Sequence, residues 1–494
     1  GFVMITIVPT DFLYLGPLAV LTFVGLILIL AESFAAGKAR SFLMQLTVAG
    51  CLMAIIAAIY TWRAIEPGTQ ISAFSGMLVA DRMSMFLCAL FAGTTGLIAM
   101  LGAAHQREYD WQVGEFYGLM LLAAAGMCMI AMAGDLITIF IGIETMSLAV
   151  YVMTAARRRS RGGSEGAMKY FLMGAFASGF LVYGMALLYG ATGTTNLQGI
   201  RVALDVSQSS ALTVAAIFML IVAFGFKIAA IPFHMWAPDA YEGAPTPVTA
   251  FMAAAVKTAA IAGMIRVFVQ ALGGDTVPFG QVGWSSIFAI IAALTMTVAN
   301  IAALRQNNIK RMLAYSSVAH AGVLLVGLIA AGIAPGGEGL ASVLFYLLAY
   351  SVATVGAFGV IVWIGNRDRE RVLLSDWYGL AAAKPAAAMV MTLFMLSFAG
   401  IPPTGGFFAK FFLFKSALMA QDQTLLWLVI VGVLNSMISI FYYLKVVMAM
   451  YFRDATGEFK PLNSSAVTFV LILCGFFVMQ MGMMPTSWLG YLGV

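Results

Sequence analysis

Residues 224–241 read FGFKIAAIPFHMWAPDAY, and residues 397–412 read SFAGIPPTGGFFAKFF. Each is an apolar run interrupted by an Ile-Pro step, with a lysine (Lys227 or Lys410) a few residues from the break. Proline removes a backbone donor and frees a carbonyl one turn earlier, and hydrocarbon satisfies neither. Such a break survives in a membrane only where protein or a hydrated cavity surrounds it. A simple proline kink would account for either break alone. Their spacing adds information, because the two runs are five spans apart in the count given below. An odd offset turns two tandem five-helix units upside down relative to each other. Inverted repeats with discontinuous helices place the working site near the midplane, at the breaks.

Composition supports a chain dissolved in lipid. Of 494 residues, 62% are hydrophobic and 10% charged, with mean hydropathy +0.98. Ordinary soluble domains run nearer about half apolar and a quarter charged. Windows of roughly 20 apolar residues place spans at 12–33, 41–62, 79–104, 114–133, 135–155, 164–191, 209–231, 246–271, 282–304, 309–332, 338–364, 385–420, 424–451 and 464–484. The twelfth is too long for one straight crossing. The expected fold is therefore an all-α polytopic membrane protein of about fourteen helices, with two inverted five-helix repeats and broken helices seven and twelve. The corresponding divisions are 1–110, a three-helix segment; 111–275, the first repeat; 276–455, the inverted second repeat; and 456–494, the last helix. The first apolar run, Phe12 to Ala31, is long enough to span and has no basic segment before it, so no cleavable signal is expected.

Lysine and arginine sort by loop. One set of alternate loops holds Lys38, Arg40, Arg107, Arg157, Arg158, Arg159, Arg161, Arg305, Lys310, Arg311, Arg367, Arg369, Arg371, Lys384, Arg453 and Lys460, and the other only Arg63, Arg82 and Arg201. The positive-inside rule makes the first face cytoplasmic (or matrix) and puts both termini on the other side. The net charge of +5 then belongs to these loops and is no nucleic-acid signal. Cys51, Cys88, Cys128 and Cys474 are scattered through apolar runs without a CxxC pair, which disfavours disulfides, iron–sulfur clusters and zinc. Three histidines, His105, His234 and His320, give thin support for haem. There is no Walker loop and no GxGxxG in a strand–helix setting.

The remaining cations, Lys169, Lys227, Lys257, Arg266, Lys410, Lys415 and Lys445, fall inside spans. Glu144 is the one carboxylate near a bilayer centre, about 14 Å into helix five at 1.5 Å per residue. An intramembrane carboxylate is functional by default and needs a partner; Lys227, beside the first break, is the natural one, against a static pair that only locks two helices. Lys257 lies about 16 Å into helix eight, too deep to snorkel and ringed by small residues that leave room for water. Lys410 follows the second break and completes the row. His320, mid-way along helix ten with Ser316 and Ser317 nearby, can donate and accept a proton between the lysines, its rival role being a satisfied core histidine. Lys169 either shuttles protons on the cytoplasmic side or snorkels. Lys415 and Lys445 are near span ends and snorkel. His234 caps the first break or faces water.

GDLITIFIGIETMSLAVYVM (134–153), FKIAAIPFHMWAPDAYEGAPTPVTAFMAAAVKTAAI (226–261), NIKRMLAYSSVAHAGVLLVG (308–327) and LSFAGIPPTGGFFAKFFLFKSAL (396–418) resemble the antiporter-like membrane subunits of respiratory complex I over nearly the whole chain. The resemblance implies a proton route through Glu144, Lys227, Lys257 and Lys410, and Lys169 matches a lysine associated with the family. It implies that NADH, FMN, iron–sulfur clusters and quinone belong to partner subunits, with no cofactor or metal in this chain. The expected partners are neighbouring antiporter-like and small membrane subunits and lipids. The expected location is a bacterial inner membrane with periplasmic termini, ahead of a mitochondrial one. Among sister subunits, lysine at 410 departs from one that carries glutamate there, and no long lateral arm is expected after residue 484. A subunit of an Mrp-type sodium/proton antiporter is the alternative of the same ancestry, and a passive scaffold is the third class. A scaffold has no reason to hold three lysines and a carboxylate at midplane depth.

Overall fold

Prolines and glycines cut the chain where the sequence places breaks, and apolar runs carry the rest. The computed structural model describes all residues except 1–10, 35–39, 110, 112–114, 158–159, 207–209, 274–282, 335–337, 366–369, 421–422, 456, 460 and 493–494. Lys38, Arg158, Arg159, Arg367, Arg369 and Lys460 of the orientation count lie outside the described residues. The main helices are α1 (Gly16–Phe34), α2 (Arg40–Ala64), α3 (Arg82–Tyr109), α4 (Glu115–Ala131), α5 (Leu136–Thr154) and α6 (Arg161–Thr192). The seventh is split into α7a (Ala211–Lys227) and α7b (Trp236–Gly243). Then come α8 (Thr246–Leu272), α9 (Trp284–Leu304), α10 (Ile309–Ile333) and α11 (Glu338–Ile364). The twelfth is split into α12a (Pro385–Ala399) and α12b (Gly405–Met419), followed by α13 (Leu426–Phe452) and α14 (Ser465–Met483). A short antiparallel hairpin, β1 (Ile71–Ala73) and β2 (Leu78–Ala80), joins α2 to α3.

Among the described residues, 11 helices are long and apolar enough to cross a membrane. The three shorter apolar ones are α4, α7a and α12a. Both breaks close in the same way. The first half ends on a left-handed residue, Ala229 (φ 57°) in one and Gly400 (φ 79°) in the other. The next amide reaches back five residues, Ala230 N to Gly225 O at 2.8 Å and Ile401 N to Leu396 O at 3.0 Å. The seventh span, placed at 209–231 and expected to be broken, ends its first half at Lys227 because of this turn.

The two halves repeat a second detail. Asp135 caps α5 and Asn308 caps α10, each side chain accepting a first-turn amide. Each cap residue also forms a one-residue β-bridge with the chain beyond the following helix, Asp135 with Asn196 past α6 and Asn308 with Leu373 past α11. These caps lie at opposite ends of α6. Asn196 follows the Gly193 cap at the end of α6, whereas Asn308 bonds Glu242 (2.9 Å) and Lys310 bonds Ala244 O (2.6 Å). Gly243, between those two, touches Gly163 at the start of α6. So α5 and α10 run in opposite directions, as inverted repeats require.

The most apolar stretches of α8 and α10 are fully enclosed, and that of α11 nearly so. Phe23 of α1, Ile56 of α2, Phe176 of α6, Phe441 of α13 and Ile472 of α14 point outward. An outer surface this apolar suits lipid or a membrane partner. Within the bundle, glycines bring backbones into contact. A Cβ on Gly126 of α4 would sit 2.7 Å from Gly142 O, and one on Gly142 of α5 would sit 2.8 Å from Gly126 O.

Candidate functional site

The repeat geometry puts Glu144 of α5 and His320 of α10 each in register with a serine of the other helix. Glu144 and Ser317 each lie nine residues beyond their caps, and Ser147 and His320 each lie twelve beyond. Glu144, half-buried between α5 and α6, accepts a 2.5 Å hydrogen bond from Ser178 Oγ. Lys227, buried at the end of α7a, donates to Ser147 Oγ at 2.8 Å, one turn along α5 from Glu144. The rings of Tyr151 and Phe226 flank its ammonium at 6.0 and 5.9 Å. Lys227 and Glu144 do not bond each other directly; Glu144 is held by Ser178 of α6 and Lys227 by Ser147 of α5.

Lys257 sits where α8 changes pitch, directly after the π-helical turns of Met252–Val256. Wide turns of this type recur at functional positions because they swing side chains off the regular helix face. Its Nζ donates to Ser317 O at 2.5 Å and also to Ser317 Oγ. His320 follows one turn on. Its Nδ1 meets Tyr346 OH at 2.5 Å and its Nε2 meets Tyr443 OH at 3.1 Å. Tyr443 also meets Ser316 Oγ at 2.5 Å. The serines expected to satisfy the histidine thus serve Lys257 and Tyr443 instead, and tyrosines from α11 and α13 take their place. Tyrosine hydroxyls donate and accept, so both ring nitrogens keep a partner in either tautomer.

Lys410 on α12b reaches back across the second break to Ala399 O at 3.1 Å, satisfying a carbonyl the break has freed. It shares a cavity of about 20 Å³ with His320, Asn300, Asn435 and Tyr443. A second cavity, about 10 Å³, lies on the other side of His320 against Tyr346, Tyr350 and Ser397. These volumes suit about one water each, and both are lined by polar groups. The structure thus places Lys257, His320 and Lys410 in one buried polar region around α10. Lys227 and Glu144 lie at its far end, on α7a and α5.

Lys169 lies apart from that region. It is exposed, paired with Glu165 (2.7 Å) and Asp239 (2.8 Å), and Asp239 is shared with Arg311 at 2.7 Å. Partial burial pushes the Asp239 carboxyl up, but Lys169 and Arg311 outweigh it and leave the carboxyl below its ordinary range. His234 is half-buried just past the first break, with Nδ1 unpaired among the described residues. Lys415 and Lys445 reach polar groups at helix ends, Glu338 at 3.4 Å and Gln306 O at 3.1 Å, as snorkelling requires.

Sequence reasoning missed a buried cluster around Glu370. Its carboxylate meets His105 Nε2 (2.6 Å), Arg157 (3.2 Å) and Lys310 (3.3 Å). Trp111 Nε1 donates to His105 Nδ1 at 2.7 Å. Burial raises the Glu370 carboxyl, yet Lys310, His105 and Arg157 together hold it well below the usual carboxylate range. In sequence, Glu370 stands in an arginine-rich loop and reads as a solvated charge. Among the described residues no group of three or more His, Cys, Asp or Glu is placed to hold a metal, and all four cysteines are free and buried.

Broken helices in opposed repeats, with lysines at and between the breaks, define an antiporter-like polytopic membrane protein. Residues 133–439 match the family described as NADH:quinone oxidoreductase/Mrp antiporter, TM. The chain is 43% identical to NADH-quinone oxidoreductase subunit N of Trichlorobacter lovleyi over 454 residues, 91% of this chain and 89% of that one. It is 41% identical to subunit N 1 of Sorangium cellulosum over 497 residues, covering 97% of both. A chain of respiratory complex I from Thermus thermophilus with bound aureothin superposes with TM-score 0.81 at 32% identity, over 97% of this chain and 99% of that one. A chain of the Mrp complex from Dietzia superposes equally well, TM-score 0.81, over 98% of this chain and 96% of that one, but at 21% identity shares the fold alone. The chain belongs to the subunit N family of NADH-quinone oxidoreductases.

Proposed function

We propose that this chain carries protons across a bacterial inner membrane as the N-type subunit of an NADH:quinone oxidoreductase, driven by redox chemistry in partner subunits. The observation that supports the reading is the set of buried polar residues Lys257, Ser317, His320 and Lys410, contributed by α8, α10 and α12b. NADH, FMN, iron–sulfur clusters and quinone belong to those partners. Neighbouring antiporter-like and small membrane subunits cover part of the apolar outer surface, and lipid covers the rest. All fourteen expected spans cross, the three shorter helices included; the divisions fall at 110, 275 and 455, and both termini lie on the periplasmic side.

Protons enter from the Lys/Arg-rich face near α7b and α8 and load Lys257. They pass by water and His320 to Lys410 and leave on the opposite face. Lys169 belongs to the uptake side, where it holds Asp239. The charge state of the Glu144–Lys227 pair sets whether Lys257 keeps its proton, through the field it imposes in a medium of low dielectric. With Lys227 resting on Ser147, one turn from Glu144, a rotamer change of either side chain makes or breaks the pair without moving a helix.

The test is Lys257→Ala in membrane vesicles, with assembly confirmed on a native gel. NADH-driven quinone reduction and proton pumping are both expected to fall, by an order of magnitude. Unchanged rates in the assembled complex would show the lysine row to be structural. Dependence of pumping on a sodium gradient would move the chain to the antiporter class.

A further inference from the structure

A large cavity lies away from the lysine row. It measures about 510 Å³ and opens at the end of α8 remote from the Lys/Arg-rich face, among Ser72, Asn196, Gln198 and Gln270. Thr69 and Gln70, also in its lining, are exposed, so the space communicates with the surface. An open space of this size with several polar side chains in its wall holds many waters. Its wall includes Arg266 and Asp81, whose side chains are 1% and 5% exposed.

Every donor of this arginine is engaged. Nη1 and Nη2 bind Asp81 at 2.7 and 3.0 Å, Nε and Nη2 bind Ala131 O at 2.9 and 2.7 Å, and Nη1 also binds Gln270 at 2.9 Å. Asp81 accepts in addition from Ser84 N at 2.8 Å and Gln70 Nε2 at 3.3 Å. Arg266 lies nine residues beyond Lys257 on the same helix, about 13 Å at 1.5 Å per residue. Between them only Thr258 has a polar side chain, and it is tied to Ala254 O and Ser351.

We propose that Arg266, locked by Asp81, is the proton seal at the floor of an aqueous vestibule, separating water on the second face from Lys257. Water reaching so near a midplane lysine from the face opposite to uptake would short-circuit a pump. A guanidinium blocks that route in two ways. It has five donors and no acceptor lone pair, so it cannot receive a proton and pass it on. With all five donors already taken by protein acceptors, it also leaves none for a water to chain onto. The carboxylate that could relay has its oxygens occupied by four donor groups. Arg82 and Arg201 in the lining add positive charge, the latter paired with Asp205 at 3.4 Å. The seal rests on the proposed relay through Lys257, since without a relay there is nothing to insulate.

The test measures passive leak. In vesicles without NADH, an imposed pH gradient should collapse several-fold faster with the Arg266→Gln, Asp81→Asn double variant than with the native complex. With NADH, quinone reduction should persist while fewer protons move per electron pair. Adding Lys257→Ala should restore a tight membrane. An assembled double variant with native leak overturns the seal, and pumping that falls in proportion to quinone reduction makes the pair a mere helix staple. Where the double variant does not assemble, Gln270→Cys in the otherwise native complex decides. Because the native cysteines are buried, an impermeant anionic thiol reagent should label this position from the second face and raise the leak. Absence of labelling there, or labelling with no added leak, overturns the proposal. Normal pumping by Lys257→Ala would instead sink the relay while leaving the labelled vestibule standing.

Discussion

Lys227, Lys257 and Lys410 all end on neutral oxygens, belonging to Ser147, Ser317 and Ala399, and among the described residues none meets a carboxylate. A lysine anchored by an acid stays charged, whereas one resting on neutral acceptors can exist in both protonation states without leaving a buried acid unpaired. His320 is held the same way, between two phenols. Tyr443→Phe removes the Nε2 partner and the Ser316 contact together. Losing a buried hydrogen bond costs about 1 kcal/mol, so the subunit should still assemble while proton pumping drops several-fold; pumping at the native rate would exclude Tyr443 from the path. The lysines were legible in sequence because a charge in an apolar run is conspicuous. The tyrosines were not, since a tyrosine in such a run looks like any other aromatic until its hydroxyl is seen to meet an imidazole.

At the scale of elements, the breaks were readable and their closure was not. Ile-Pro and Gly-Gly announce an interruption, but the freed carbonyls are satisfied by groups no local rule identifies. Lys410 takes Ala399 O at the second break, and at the first Trp236 Nε1 adds to Phe226 O at 3.1 Å, which also accepts from Ala229 N. The paired bridges at Asn196 and Leu373 left no trace either, because backbone atoms make them across some sixty residues of sequence. Gly406 shows how tight the second break is. A Cβ there would lie 1.8 Å from Ser397 O, against rigid backbone. Gly406→Ala should force the two halves of the helix apart, at about 2 kcal/mol or more, and displace Lys410. The expected result is a lower melting temperature in detergent together with lost pumping; native melting would mean the break has slack that the packing does not show.

Across the whole molecule, ionic ties join segments distant in the chain. Glu370 unites the end of α3, the α5–α6 connection, the start of α10 and the chain after α11. Removing one partner of a buried ion pair costs about 3 kcal/mol or more, and Glu370→Gln should lower the melting temperature accordingly. The folded carboxyl sits below its ordinary value of 4.5. Its contribution is therefore complete above that value and drains away as pH falls through the acidic range. A melting series from pH 7 downward should show the native protein losing its advantage over Glu370→Gln; a constant gap would remove the ionic explanation.

The glycine contact between α4 and α5 bears on how such a machine can be driven. With Gly126 and Gly142 each seated against the other's carbonyl, the two helices behave as one welded strut. α5 can neither slide nor roll on α4 without driving backbone into backbone. Under the proposed function, a signal at Glu144 travels as reoriented side chains and redistributed charge, with the scaffold around it as a stator.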